Sequence, residues 1–171
     1  MSTWLIAIRS RRCRRQSSIS EGGAAAGRRS RSADYRGERD YNPAMKFTSV
    51  NSSAAPQSAG GYSQAVDISG VQRFLFISGQ IPETVTGSVP ADFRAQARLV
   101  WHNVLAQLDA AGMAVTNLVK VNTFLSSREF ALVNREIRQE ILGAHRPAMT
   151  VVITGIFDEK WLLEIEAVAA A

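Results

Sequence analysis

The stretch LLEIEAVA, residues 162–169, alternates apolar and charged side chains close to the end of the chain. A strand period of two puts Leu163, Ile165 and Ala167 on one side, and Glu164 and Glu166 on the other with Leu162 and Val168. The first set suits a hydrophobic core. The second interleaves two carboxylates with apolar residues, a surface that calls for a second packing partner instead of open water. The simplest such partner is another copy of the chain.

Working outward, AMTVVITGI (148–156) reads as another strand, joined to the last one by the polar turn around Asp158, Glu159 and Lys160. LVKVNTFL (118–125) alternates in the same way. Ser126 or Ser127 is placed to cap a helix whose Phe130, Val133, Asn134, Ile137 and Ile141 share a face, with Gly143 at its end. A longer helical stripe runs through Phe93, Ala97, Val100, Val104, Leu108 and Ala111 and stops at Gly112. Before it, Pro82, Gly87 and Pro90 mark a loop. YSQAVDI (62–68) and RFLFISG (73–79) flank Ser69-Gly70 and read as a β-hairpin. The predicted order is β-β-α-β-α-β-β, an α+β fold with two helices covering one face of a sheet.

The 171 residues fit one domain with a tail, and 46% hydrophobic content is ample for a packed core. The net charge of +5 would suggest an acidic partner, but it is unevenly placed. Residues 1–44 hold ten arginines against four acids, whereas residues 45–171 carry a charge of −1. The tail is rich in Arg, Ser, Gly and Ala and lacks apolar periodicity, so it is expected to be disordered, with the folded domain over 45–171. Three origins are open for it: an upstream mis-assigned start with the true one at Met45, an organelle transit peptide, or a basic arm attracted to phosphates. The corresponding location is cytoplasmic, or mitochondrial for a transit peptide. The lone Cys13 lies in the tail, which leaves no intrachain disulfide and no cysteine-based metal site. No run approaches the roughly 18 apolar residues of a membrane span, so no membrane association is expected.

Six motifs in order carry a resemblance. GGYSQAV (60–66), FISGQIP (76–82), AQA (95–97), VKVNTFL (119–125), RPAMT (146–150) and EIEAVA (164–169) together resemble the RidA/YjgF family of reactive-intermediate deaminases. The resemblance implies a chorismate-mutase-like subunit, a homotrimer with a central barrel, and a small-molecule ligand in each intersubunit cleft. It also implies hydrolysis of 2-imino acids and their enamine tautomers to 2-keto acids and ammonia, without metal or organic cofactor. Carried onto this chain, the family's cleft falls on Tyr62, the Ser78-Gly79 backbone and Asn134. Its water-activating acid falls on Glu164. The signature arginine that clamps the substrate carboxylate falls on Met149, and the small residue two further along falls on Val151.

A guanidinium offers a carboxylate two parallel charge-assisted hydrogen bonds, which a thioether cannot supply. Arg146 is three residues from Met149, so strand alternation points it to the opposite face, and Pro147 constrains the turn between them. Arg73 and Arg128 are further cations near element ends. Weak 2-iminobutyrate hydrolysis is therefore expected, with a gain on Met149→Arg. Several residues have a plainer structural reading as well: Glu164 as an interface carboxylate, Tyr62 as an interface aromatic, Asn134 as a buried hydrogen-bonder. His102 and His145 lack metal-site spacing and read as surface residues. Two alternatives stand beside the deaminase: a noncatalytic binding or regulatory trimer, and an RNA-binding or RNA-cleaving protein. The near-neutral domain, the lack of an aromatic stacking platform and the absence of a general-base histidine pair make nucleic acid an unexpected partner.

Overall fold

The computed structural model describes residues 44–58 and 60–171. Cys13 and all but the last residue of the basic tail lie outside these. Six strands and two helices follow in the order β1 (Lys46–Val50), β2 (Ala65–Ser69), β3 (Phe74–Gln80), α1 (Phe93–Ala110), β4 (Leu118–Leu125), α2 (Ala131–Leu142), β5 (Ala148–Ile153) and β6 (Leu163–Ala170). The α+β class and the two helices on one sheet face hold.

The main sheet has the order β3-β6-β4-β5. β4 and β5 run parallel, which requires a crossover, and α2 provides it. β6 is antiparallel to both β3 and β4 and lies between them, so the last two strands are not neighbours. Strand alternation in β6 is as its sequence reads: Leu163, Ile165, Ala167 and Ala169 are buried, while Glu164, Glu166 and Val168 face the other way, half-buried.

The core lies between this sheet and the helices. Ala97, Val100, Trp101, Val104 and Leu108 of α1 and Ile137 and Leu142 of α2 pack on Val121, Leu125, Leu163 and Ile165. Burying each of the large apolar side chains contributes roughly 1.5–3 kcal/mol. Asp92 caps α1, its carboxylate accepting from the Ala95 N–H at 2.9 Å. Gly112 follows the helix at φ +66°, a conformation that favours glycine. Ser127 caps a single 3-10 turn, Arg128–Phe130, ahead of α2, accepting from Glu129 N–H.

Two expectations need correction. The predicted hairpin between residues 62–68 and 73–79 does not form. β2 pairs instead with β1, from Lys46 opposite Ser69 to Val50 opposite Ala65, and the pair makes a separate two-stranded sheet. β3 is claimed by the C-terminal strand: Gln72 and Arg73 N–H donate to Ala171 O, and Ala171 N–H donates to Arg73 O. β1 was missed because KFTSV has no clear alternation. The second correction is His145, which is half-buried, with Nε2 2.6 Å from Leu118 O and its ring 4.9 Å from that of Phe47. His102 is exposed as expected.

Candidate functional site

The first group of site residues gathers where the segment before β2 crosses α2. Ser63 is 1% exposed and anchors this segment: its hydroxyl donates to Arg146 O at 2.6 Å, and its N–H donates to Pro147 O at 3.1 Å. The two residues before it pass close over the helix. Gly60 and Gly61 have φ of +104° and +78°, and a Cβ on Gly60 would overlap the Arg135 guanidinium. The glycine pair thus supplies both the left-handed backbone and the clearance that bring Tyr62 to α2.

Tyr62, Asn134 and Val151 there line one open cleft of about 290 Å³, together with Ala131, Leu132, Arg135 and Arg138. The two arginines were not singled out from the sequence. Arg138 is four residues after Asn134, so a cation on the buried face of an amphipathic helix was the available signal. It is only 5% exposed, and its Nη2 donates to Gly60 O at 2.6 Å. Its Nε and the Oδ1 of Asn134 are buried without a partner among the described residues. Burial and then the neighbouring Arg135 charge lower the Arg138 pKa from its ordinary value, with Tyr62 opposing the shift.

Met149 is not among the residues lining this cleft. It pairs with Val121 on the helix-facing side of the sheet and packs against the core. Arg146 is occupied in its own loop, Nη1 donating to Gly143 O and His145 O at 2.6 and 2.9 Å. Arg73 donates to Ala111 O, and Arg128 is exposed.

The second group lies on the opposite face. Between Ile77, opposite Ala167, and Gln80, opposite Ile165, β3 has two residues where β6 has one. Ser78 and Gly79 form this β-bulge, which releases backbone groups from the ladder. A Cβ on Gly79 would overlap the Glu164 carboxylate, so the acid lies directly against the bulge. Ser78 also borders a shallow hollow of about 280 Å³ on the open sheet face, with Phe76, Lys120, Asn122 and Glu166. Asn122 Nδ2 donates to Glu166 Oε1 at 2.7 Å, holding that second carboxylate in place.

Glu164 and Val151 are therefore separated. β4 stands between their strands, which puts them about 9–10 Å apart across the sheet. Val151 shares a side with buried Thr123, and Glu164 is on the other side with Phe124. The candidate residues thus fall into two separate groups: Tyr62, Asn134 and Val151 in one, and Ser78, Gly79 and Glu164 in the other. Among the described residues, no group of three or more His, Cys, Asp or Glu gathers closely enough to hold a metal ion.

The sequence model of the endoribonuclease L-PSP family matches residues 52–171, which include both groups of candidate residues. The chain belongs to the RidA/YjgF family. Among its relatives, the 2-iminobutanoate/2-iminopropanoate deaminase of Escherichia coli is 38% identical over 119 residues, 67% of this chain and 91% of the relative. A conserved Rid-family protein of Yersinia pestis, YyfB, matches 73% of this chain and 98% of its own at a TM-score of 0.66 and 25% identity. E. coli TdcF with bound serine matches 72% of this chain and 98% of its own at a TM-score of 0.56 and 32% identity. The fold of this family member is the chorismate-mutase-like fold of these Rid proteins.

Proposed function

We propose that the chain is a hydrolytic deaminase of small imines and enamines, working in clefts that form when the two groups of candidate residues, from neighbouring subunits, meet in a homotrimer. The observation that carries this reading is the Glu164 carboxylate lying against the Ser78-Gly79 bulge. It sits in a chain 38% identical to a 2-iminobutanoate/2-iminopropanoate deaminase. Serine bound to TdcF supports a ligand of amino-acid size.

In this reading Glu164 accepts a proton from water as the water oxygen bonds to the imine carbon, and the C=N electron pair moves to nitrogen, which takes up that proton from Glu164. The resulting carbinolamine then loses ammonia: the C–N bond breaks, C=O forms, and Glu164 carries the hydroxyl proton to the departing nitrogen. Water and imine go in; a carbonyl compound and ammonia come out. A backbone N–H that a bulge leaves out of the ladder is suited to hold a ligand oxygen beside the carboxylate.

The test is ammonia release from imines generated in situ from several amino acids. Glu164→Gln is expected to lower the rate by roughly 10²–10⁴-fold with unchanged thermal stability, the usual range for removing a general base. A variant as fast as wild type would sink the reading. Met149 packing on the core favours a second one, a noncatalytic binding trimer. In that case wild type and Met149→Arg alike would bind ligand and release no ammonia.

A further inference from the structure

The sequence leaves the ligand carboxylate without its expected partner, because Met149 stands where that cation is expected and packs against the core. The cleft itself is nevertheless cationic. Arg135 and Arg138 both line it, three residues apart on α2, which places them one turn from each other. Neither has a carboxylate partner among the described residues. The acids of α2 point elsewhere: Glu136 pairs with Arg94 at 2.9 Å and Glu140 with Arg98 at 2.8 Å, both on the exposed side toward α1.

An uncompensated cation that is 5% exposed is costly, and a second guanidinium beside it raises the cost. Arg138 has five N–H donors and spends one contact on Gly60 O, while its Nε has no partner among the described residues. Asn134, one turn earlier, also lines the cleft; it is 2% exposed, and its buried Oδ1 is likewise unpartnered among the described residues. Buried polar groups left open in this way call for a missing partner. The cleft's volume of about 290 Å³ is suited to a small molecule.

We propose that the carboxylate clamp has moved from the β5 strand to helix α2, with Arg138 as the principal anion-binding residue and Arg135 as its support, so that this cleft selects carboxylate-bearing ligands. The role as substrate clamp rests on the deaminase reading above; the anion selectivity stands without it. A guanidinium on α2 presents the same planar fork of donors as one on the strand. It approaches the cleft from the helix side, next to Tyr62, instead of along the sheet.

The test is calorimetric binding of 2-oxobutanoate, the keto acid corresponding to 2-iminobutanoate, and of its neutral amide to the full chain. Wild type is expected to prefer the acid. Arg138→Gln should weaken acid binding by at least about a hundredfold and amide binding far less, because a buried carboxylate would lose its counter-charge. Arg138→Lys, which keeps the charge and loses the fork, should fall between. Arg135→Gln tests the same acid-to-amide ratio if Arg138→Gln fails to fold, with an expected loss of about tenfold, as suits the less buried partner.

Equal binding of acid and amide by wild type would overturn the inference, as would an unchanged ratio in the foldable variants. So would oligomer dissociation by Arg135→Gln with acid binding intact, which would assign the guanidiniums to a second copy of the chain. Imine hydrolysis without acid preference would remove this inference and leave the deaminase. Arg138-dependent acid binding in a protein that hydrolyses no imine would do the reverse.

Discussion

At the residue scale, two glycines set the site for different reasons. Gly60 is needed for a positive φ and for the space taken by the Arg135 guanidinium, whereas Gly79 has an ordinary φ and is needed only for space. Gly79→Ala should therefore act on function more than on folding, because the added methyl displaces the Glu164 carboxylate from the bulge. We expect imine hydrolysis to fall at least about tenfold, since misplacing a catalytic group by an ångström or so costs as much. The melting temperature should shift little, and an unchanged rate would show that Glu164 need not rest on the bulge. Gly60→Ala should instead destabilise by about 1–2 kcal/mol through its left-handed backbone, seen in urea denaturation, with Arg135 turning aside.

At the scale of elements, Gln96 explains why α1 matters to Glu164. Buried at 1% exposure, its Nε2 donates to Pro90 O at 2.8 Å and Lys160 O at 2.9 Å, and its Oε1 accepts from Leu162 N–H at 2.8 Å. One side chain thus ties the loop before α1 to the start of β6, two residues from the proposed base. Gln96→Ala leaves three groups to find new partners and should cost about 2–4 kcal/mol in equilibrium unfolding. Its activity should drop as well, since β6 loses the contact that fixes where it begins. A cost below about 0.5 kcal/mol would mean that water replaces the amide without consequence.

At the scale of the whole molecule, the sheet face away from the helices carries Phe74 at 53% and Phe76 at 76% exposure, beside Lys120, Glu164 and Glu166. Exposed aromatics among charges fit a face made for another subunit. We expect the protein to scatter light as a trimer and Phe76→Glu to shift it toward monomer with loss of activity. A Phe76→Glu protein that keeps both its assembly and its rate would remove this face from the interface. Deleting residues 1–44 should leave assembly intact, because β1 starts at Lys46.

Much of this was legible in the chain because local periodicity is a one-dimensional signal. β4 coincides with LVKVNTFL, α1 with its apolar stripe, and the two faces of β6 with LLEIEAVA. Pairing is not such a signal. That β2 joins β1 and that β6 enters between β3 and β4 depend on which hydrogen-bonding edges are already taken, which no short window records. The site divides the same way. Tyr62, Asn134 and Glu164 came from the family resemblance, but Arg138 gains its meaning only where Gly60 crosses α2 and places a buried guanidinium beside Tyr62. By itself the sequence determined every element but β1, and the absence of an arginine at position 149. Only the tertiary structure decided that two others stand in the cleft, because the crossing of distant segments, not their spacing, sets a charge's surroundings.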